Sequence, residues 1–259
     1  FQGVYVGKKS LIKTLIFGGK EITYQAWNGI DADMMAIDRT FNYSGMYYDA
    51  NGNVQFYKNE VDNYQQHHAQ FIWNEKLSDK FTSNFALHYT KGKGYYENYK
   101  QDASYSSYNL TPVGSATTTD LARQKWLDND FYGITYSLHY NTEKIDAVFG
   151  GACNQYKGKH YGLVNWAENV VDSELGKHYY DYFGNKNDAT VYAKTNYQMA
   201  KKWLAYADLQ YRTVLYHANG EFGEVKPTLH FFNPKAGINF LMDAKNTFYF
   251  SYAKANREP

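Results

Sequence analysis

The chain has 259 residues, with 27 Lys and Arg against 26 Asp and Glu for a formal net charge of +1. That balance leaves no cationic surplus for a phosphate backbone, so no nucleic-acid partner is expected, and a single cysteine, Cys153, rules out an internal disulfide or a Cys-rich zinc site. The outlying feature is aromatic content, since 28 Tyr, 16 Phe and 5 Trp make up 19% of the chain. No apolar run reaches the roughly 18 residues of a transmembrane helix. Phe1-Gln2-Gly3-Val4 lacks the charged and apolar regions of a signal peptide.

Alternation of apolar and polar residues dominates the chain, and helical periodicity is nearly absent. It predicts about ten strands, at 1–6, 11–24, 60–74, 80–91, 126–140, 145–157, 188–199, 203–217, 230–242 and 246–254. In Phe81–Thr90 the odd positions Phe81, Phe85, Leu87 and Tyr89 oppose Thr82, Asn84, His88 and Thr90. In Phe131–Tyr140 the even positions Tyr132, Ile134, Tyr136, Leu138 and Tyr140 oppose Gly133, Thr135, Ser137 and His139. Val191–Gln198 sets Val191, Ala193 and Tyr197 against Lys194, Asn196 and Gln198. The clearest case is Trp203–Tyr216, with Trp203, Ala205, Ala207, Leu209, Tyr211 and Leu215 on one face and Asp208, Gln210 and Arg212 on the other. A strand of period 2 produces such a split; a helix does not.

The connections carry as much information as the strands. Short ones fall at Gly7–Ser10, Glu75–Asp79, Asn141–Lys144, Ala200–Lys202 and Asp243–Lys245, and long ones at 25–59, 92–125, 158–187 and 218–229. Short and long alternate throughout, which in an antiparallel meander puts all turns at one end and all long loops at the other. That is the layout of an all-β, up-and-down transmembrane β-barrel of a bacterial outer membrane. A soluble β-sandwich also alternates, but its strands are typically about five to six residues, and Tyr89, Trp126, Tyr140, Trp203 and Tyr216 cluster near strand ends as an interfacial girdle would.

Three motifs then carry a resemblance to a known family. Gly19-Lys20-Glu21-Ile22-Thr23-Tyr24-Gln25-Ala26-Trp27, the strand Val61–Gln70 (VDNYQQHHAQ), and the pair Phe232–Gly237 (FNPKAG) and Ser251–Pro259 (SYAKANREP) resemble segments of TonB-dependent outer-membrane receptors. The resemblance implies a 22-stranded barrel with a plug domain in its lumen, which binds a scarce extracellular ligand and imports it with energy from the TonB complex. Residues 1–259 then form a fragment of the barrel domain, without plug or TonB box, and the expected partners are the rest of the barrel, the plug, outer-membrane lipid and a small-molecule, metal-chelate or glycan ligand. A non-transporting surface protein, adhesin-like or porin-like, is the alternative.

No enzyme motif is present, and neither catalysis nor a cofactor is expected. The adjacent His67 and His68 must point to opposite faces of a strand, so they make no metal pair. Asp49-Ala50-Asn51-Gly52-Asn53 reads as a tight turn rather than a calcium loop. The loops offer the first candidate site. Tyr95, Tyr96, Tyr99, Tyr105 and Tyr108, with Trp166, Tyr179 and Tyr180, present stacking faces plus hydroxyls suited to a polar ring-bearing ligand. They suit equally a role in packing the loops on one another. The second candidate is a lumen face where Asp62, Tyr64, Gln66, His68 and Gln70 form a polar ladder that contacts the plug, and where Asp208 and Arg212 pair with plug residues.

Overall fold

The computed structural model describes residues 1–258; Pro259, the last residue of the Arg-Glu-Pro motif, lies outside the described residues. In chain order the elements are β1 (Gln2–Val6), β2 (Ser10–Tyr24), α1 (Ala32–Ile37), β3 (Met46–Tyr48), β4 (Val54–Phe56), β5 (Val61–Lys76), β6 (Phe81–Ser104), β7 (Thr118–Asn141), β8 (Ile145–Ala167), β9 (His178–Ala200), β10 (Trp203–Gly220), β11 (Gly223–Val225), β12 (Thr228–Leu241) and β13 (Thr247–Ala253). One antiparallel sheet runs β1-β2-β5-β6-β7-β8-β9-β10-β12-β13, with β11 beside β10, while β3 and β4 form a separate small hairpin. Each strand of the main sheet pairs with its neighbour along the chain, and the sheet is not closed.

Register separates the two faces row by row. Trp73, Phe85, Tyr136, Gly151, Val191 and Tyr211 are consecutive cross-strand partners. The next row reads Asn74, Asn84, Ser137, Gly150, Tyr192, Gln210 and Asn233. The first row is almost wholly apolar and the second almost wholly polar. The polar row bonds internally, Asn84 Nδ2 donating to Ser137 Oγ at 3.2 Å and Asn233 Nδ2 to Gln210 Oε1 at 3.1 Å. On the apolar face Phe149 is 55% exposed and Leu209 48%, so this face has no protein cover in the chain. A water-soluble protein does not leave so large an apolar surface bare.

The short turns are built from local chemistry. Asp243 Oδ1 accepts the amides of Lys245 and Asn246 at 2.8 and 2.9 Å, and the Thr142 amide donates to the Ile145 carbonyl at 2.8 Å. The Asn51-Gly52 turn closes the β3–β4 hairpin as its sequence predicts, with Gly52 at φ +79° and Asp49 Oδ1 accepting the amides of Asn51 and Asn53. Those bonds hold the Asp49 carboxyl below its usual pKa.

The strands outrun expectation at the far end. β6 continues to Ser104 and β7 starts at Thr118, so most of the expected loop 92–125 is paired strand; β8 and β9 likewise consume much of 158–187. Beyond the apolar band both faces are polar or tyrosine-rich, and pairing persists without the contrast that marks a strand in sequence.

The remaining loops form a small core of their own. Tyr105, Tyr108, Leu110, Leu121, Val164 and Ala167 pack together, with Val170, Leu175 and Tyr179 against them. Tyr105 Oη donates to the Asn169 carbonyl at 2.8 Å, and Thr111 donates through its amide and hydroxyl to Glu174 at 2.9 and 2.6 Å. Asn109, at φ 53°, ends the 3-10 turn Tyr105–Tyr108.

The three sequence motifs act as clamps. Gln25 is buried, donating to the Val61 and Glu97 carbonyls at 2.7 and 2.9 Å and accepting from Asn98 Nδ2 at 2.7 Å. Asn256 donates its amide to Asn233 Oδ1 at 2.6 Å and its side chain to the Phe232 carbonyl at 2.9 Å, locking the end of one motif onto the other. Beyond it, Glu258 reaches Lys186 and Arg212.

Leu121 is completely buried in the loop core, and Leu121→Ala removes contacts worth about 2–5 kcal/mol at such a site. The expected result is faster proteolysis and amide exchange in 105–117 and 168–177, with the strands nearer the short turns unchanged. Uniform loosening of all strands would contradict a separate loop core.

Candidate ligand-binding site

The polar face encloses a cavity of about 1110 Å³ at the long-loop end. Its walls come from β2 (Glu21, Thr23), β5 (Asp62, Tyr64), β6 (Tyr96), β7 (Arg123, Lys125, Leu127), β8 (His160), β9 (Tyr180, Tyr182) and the β10 end (Ala218, Asn219). Residues from strands so far apart share one cavity only if the sheet curves towards its polar face, which is therefore the inside of the partial barrel.

Arg123-x-Lys125 places two cations on the same inward face two residues apart. Arg123 Nη1 donates to the Tyr108 hydroxyl at 3.1 Å, and its guanidinium lies 5.8 Å from that ring. Arg123 Nε is buried with no hydrogen-bond partner among the described residues, as is the Tyr179 hydroxyl. Lys125 Nζ sits 5.9 Å from the Tyr96 ring and 6.0 Å from that of Tyr180. Desolvation, followed by the nearby Arg123 charge, lowers the Lys125 pKa. Burial pushes the Tyr180 hydroxyl up to about 12, so it remains a donor at neutral pH. Glu21, Asp62 and Glu221 also line the cavity; desolvation raises the Asp62 pKa, with Glu21 adding to the shift. The site thus sets cations and carboxylates among tyrosine faces, with Asp62, Tyr96 and Lys125 side by side in one cross-strand row. Unpaired buried donors such as Arg123 Nε favour an acceptor-rich, anionic guest.

The structure divides the sequence-predicted tyrosines. Tyr96, Tyr108, Tyr179 and Tyr180 line the cavity. Tyr179 meets Tyr108 and Tyr180 edge-on at 4.9 and 5.0 Å. Tyr105 is 1% exposed and serves the loop core, with no surface left for a ligand. Tyr95 borders the cavity, but its ring packs tilted against Trp126 at 4.6 Å, and Trp126 stacks on Tyr161 at 5.9 Å, along the outward face. Tyr99 and Trp166 also face outward, 6.3 Å apart, and Tyr47 and Tyr57 of the first long loop pack on Tyr99.

Of the polar ladder, Asp62 and Tyr64 reach the cavity. Tyr64 Oη donates to Asn129 Oδ1 at 3.1 Å, passing over Gly92, where any Cβ would sit 1.9 Å from that hydroxyl. Gln66, His68 and Gln70 continue down the inward face, His68 stacking on Phe17 at 4.6 Å and bonding Thr90 at 2.9 Å. His67 points outward, as the alternation requires. Asp208 and Arg212 differ from expectation in having partners within the chain. Asp208 pairs with Lys235 at 3.5 Å; Arg212 Nε donates to Asp188 at 2.9 Å and Nη2 to Glu258 at 3.3 Å. A long side chain on a curved inner wall reaches the adjacent strand, so no guest is needed to neutralise it. The cations of the site, Arg123 and Lys125, fall inside the stretch read as loop, where a residue's facing has no meaning. The alternation Arg-x-Lys was the one available signal.

No protein-family model matches the sequence, and no curated protein matches it. Solved structures match its fold. The ferric-catecholate import receptor Fiu of E. coli K12, in its closed form, aligns with a TM-score of 0.63 and 15% identity over 97% of this chain and 42% of that one. The siderophore receptor PiuA of Acinetobacter baumannii gives 0.58 and 15% over 95% and 39%, and the ferric yersiniabactin uptake receptor FyuA of Yersinia pestis gives 0.54 and 9% over 94% and 34%. The chain spans less than half the length of these receptors. At such identities the likeness is one of fold: this chain is a partial β-barrel of the kind found in TonB-dependent siderophore receptors.

Proposed function

We propose that this chain is part of the barrel wall of an import receptor in a bacterial outer membrane, and that its inner cavity contributes to binding an anionic, ring-bearing small molecule such as a metal chelate. The observation that carries the reading is the cavity wall: Arg123 with a buried, unpartnered Nε, and Lys125 between Tyr96 and Tyr180. Cations held beside aromatic faces in a partly dry pocket attract a guest that is both charged and flat. The likeness to receptors whose ligands are ferric catecholate and ferric yersiniabactin supports the same class. In this reading the bare apolar face lies against lipid, and further strands pair with the open edges of β1 and β13, because unpaired backbone groups cost several kcal/mol each in hydrocarbon. A plug fills the lumen, and TonB supplies the energy for uptake.

Two measurements test this. Single cysteines along Trp203–Tyr216 should react with a lipid-phase probe at the odd positions and a water-soluble probe at the even ones. Equal labelling on both faces would discard the membrane assignment. For the ligand, uptake of a ferric tris-catecholate by the full-length receptor should drop by about 10-fold or more in Arg123→Gln, the scale of one lost charge-assisted hydrogen bond. Lys125→Gln should act in the same direction. Tyr99→Phe, on the outward face, should leave uptake unchanged. Wild-type uptake in both charge variants would remove the cavity from the binding path.

A further inference from the structure

Elsewhere on the inner wall, opposite charges meet directly: Asp208 with Lys235 at 3.5 Å, and Arg212 with both Asp188 and Glu258. The cavity is different. Glu21, Asp62, Glu221, Arg123 and Lys125 all line it, and none forms an ion pair among the described residues. Charges of both signs left without partners in a partly dry space are costly. Register sets two of them apart. Asp62 on β5 and Lys125 on β7 each stand beside Tyr96 on β6, in one row. Adjacent strands lie about 4.8 Å apart, so these two backbone positions are separated by about 10 Å. The Tyr96 side chain rises between them, its ring 5.9 Å from Lys125 Nζ.

Like charges gather at the two ends of that row. Glu21 is the cross-strand partner of Tyr64, and Asp62 that of Thr23, so Glu21 and Asp62 are diagonal neighbours on the inward face. The Glu21 charge adds to the burial that holds the Asp62 carboxyl above its usual pKa, and two carboxylates that repel each other are relieved by a cation between them. Tyr64, beside both, gives its hydroxyl hydrogen to Asn129 and leaves the carboxylates uncapped. At the other end Arg123, its Nε buried and unpartnered, lies two residues from Lys125 on the same face. Glu221, just past β10, acts on Lys125 and moderates its charge.

We infer that the cavity takes a guest of both charges: an ammonium group seated between Glu21 and Asp62, a flat ring over Tyr96, and an anionic group at Lys125 and Arg123, with cation and anion about 10 Å apart. The inference rests on the binding site proposed above and narrows its guest from an anionic molecule to an amphoteric one. Such a guest gives a partner to each end of the row. A purely anionic guest satisfies Arg123 and Lys125 but meets repulsion from Glu21 and Asp62, so the carboxylates act as a filter against anions that lack the amine.

The test is equilibrium titration of the purified full-length receptor with two probes. One is a ferric tris-catecholate bearing an arm whose primary amine stands about 10 Å from the chelate; the other is the same molecule with that amine acetylated. The wild type should bind the amine probe about tenfold more tightly, the scale of one charge-assisted hydrogen bond. Glu21→Gln with Asp62→Asn should erase the preference while binding the acetylated probe at least as tightly as the wild type does, which also shows that the variant is folded. Arg123→Gln should weaken both probes alike and keep their ratio. Glu143→Gln, in a short turn at the far end of the strands, should change neither. Equal binding of the two probes by the wild type, or a preference that survives in the double variant, overturns the ammonium seat and leaves chelate binding intact. Equal loss of both probes in the double variant also overturns it, making the two carboxylates structural. Failure of the wild type to bind either probe overturns the chelate reading, and the ammonium seat with it.

Discussion

In the membrane placement proposed above, the structure depends on one constraint: every backbone N–H and C=O of a spanning strand must be paired within the sheet, because hydrocarbon offers no substitute. A meander of long antiparallel strands meets it with the least demand on connections. In the main path β2-β5-β6-β7-β8-β9-β10-β12 each strand has a partner on both sides, and the short turns return the chain at once. At the two ends of that path β1 and β13 carry open edges. The same constraint explains why the apolar face is left uncovered. Closing the pairing uses the sheet's edges, not its faces, so the outward side chains are left free, in the proposed placement, to meet lipid while the inward ones meet each other.

Stability in such a wall is not held in a conventional core. Few side chains are buried, and most of those lie at the long-loop end, where the loops pack into a miniature core around Leu121 and Val164. Along the inner wall, order comes from polar links between strands: Asn84 to Ser137 and Arg212 to Asp188 on neighbouring strands, and Tyr64 to Asn129 across the intervening β6. The motif residues Gln25, Asn256 and Glu258 belong to this system, as each ties a chain segment to a neighbouring strand. Their part is to hold the wall's shape. The residues suited to a guest are elsewhere, on strands whose local sequence looks like loop.

The two faces of the outer strand segments differ in their surroundings. Inward, Arg123 and Lys125 stand in a partly dry pocket with tyrosines on both sides. Outward, in the segments just below, Lys91 and Lys93 pair with Asp128. The same residue types thus meet different surroundings from facing alone, since a cation among aromatic rings is partly desolvated, whereas one on the outward face is paired or hydrated.

Alternation in Trp203–Tyr216 and Phe131–Tyr140 determined strands, facing and turn positions from sequence alone, because a period of two is imposed by backbone geometry and recorded wherever the two faces meet different solvents. The Asn51-Gly52 turn was legible for a similar reason, as only a few residues accept positive φ. Beyond the apolar band the record fades. There both faces meet water, so β6 to β9 continue unseen through 92–104, 118–125, 158–167 and 178–187. Only tertiary structure decided that Tyr96 and Tyr180 face a cavity while Tyr99 and Trp166 face away, that Tyr105 is spent on packing, and that Arg212 finds Asp188. Each of these depends on curvature and on which strand lies alongside, and a residue's own neighbours in sequence carry no trace of either.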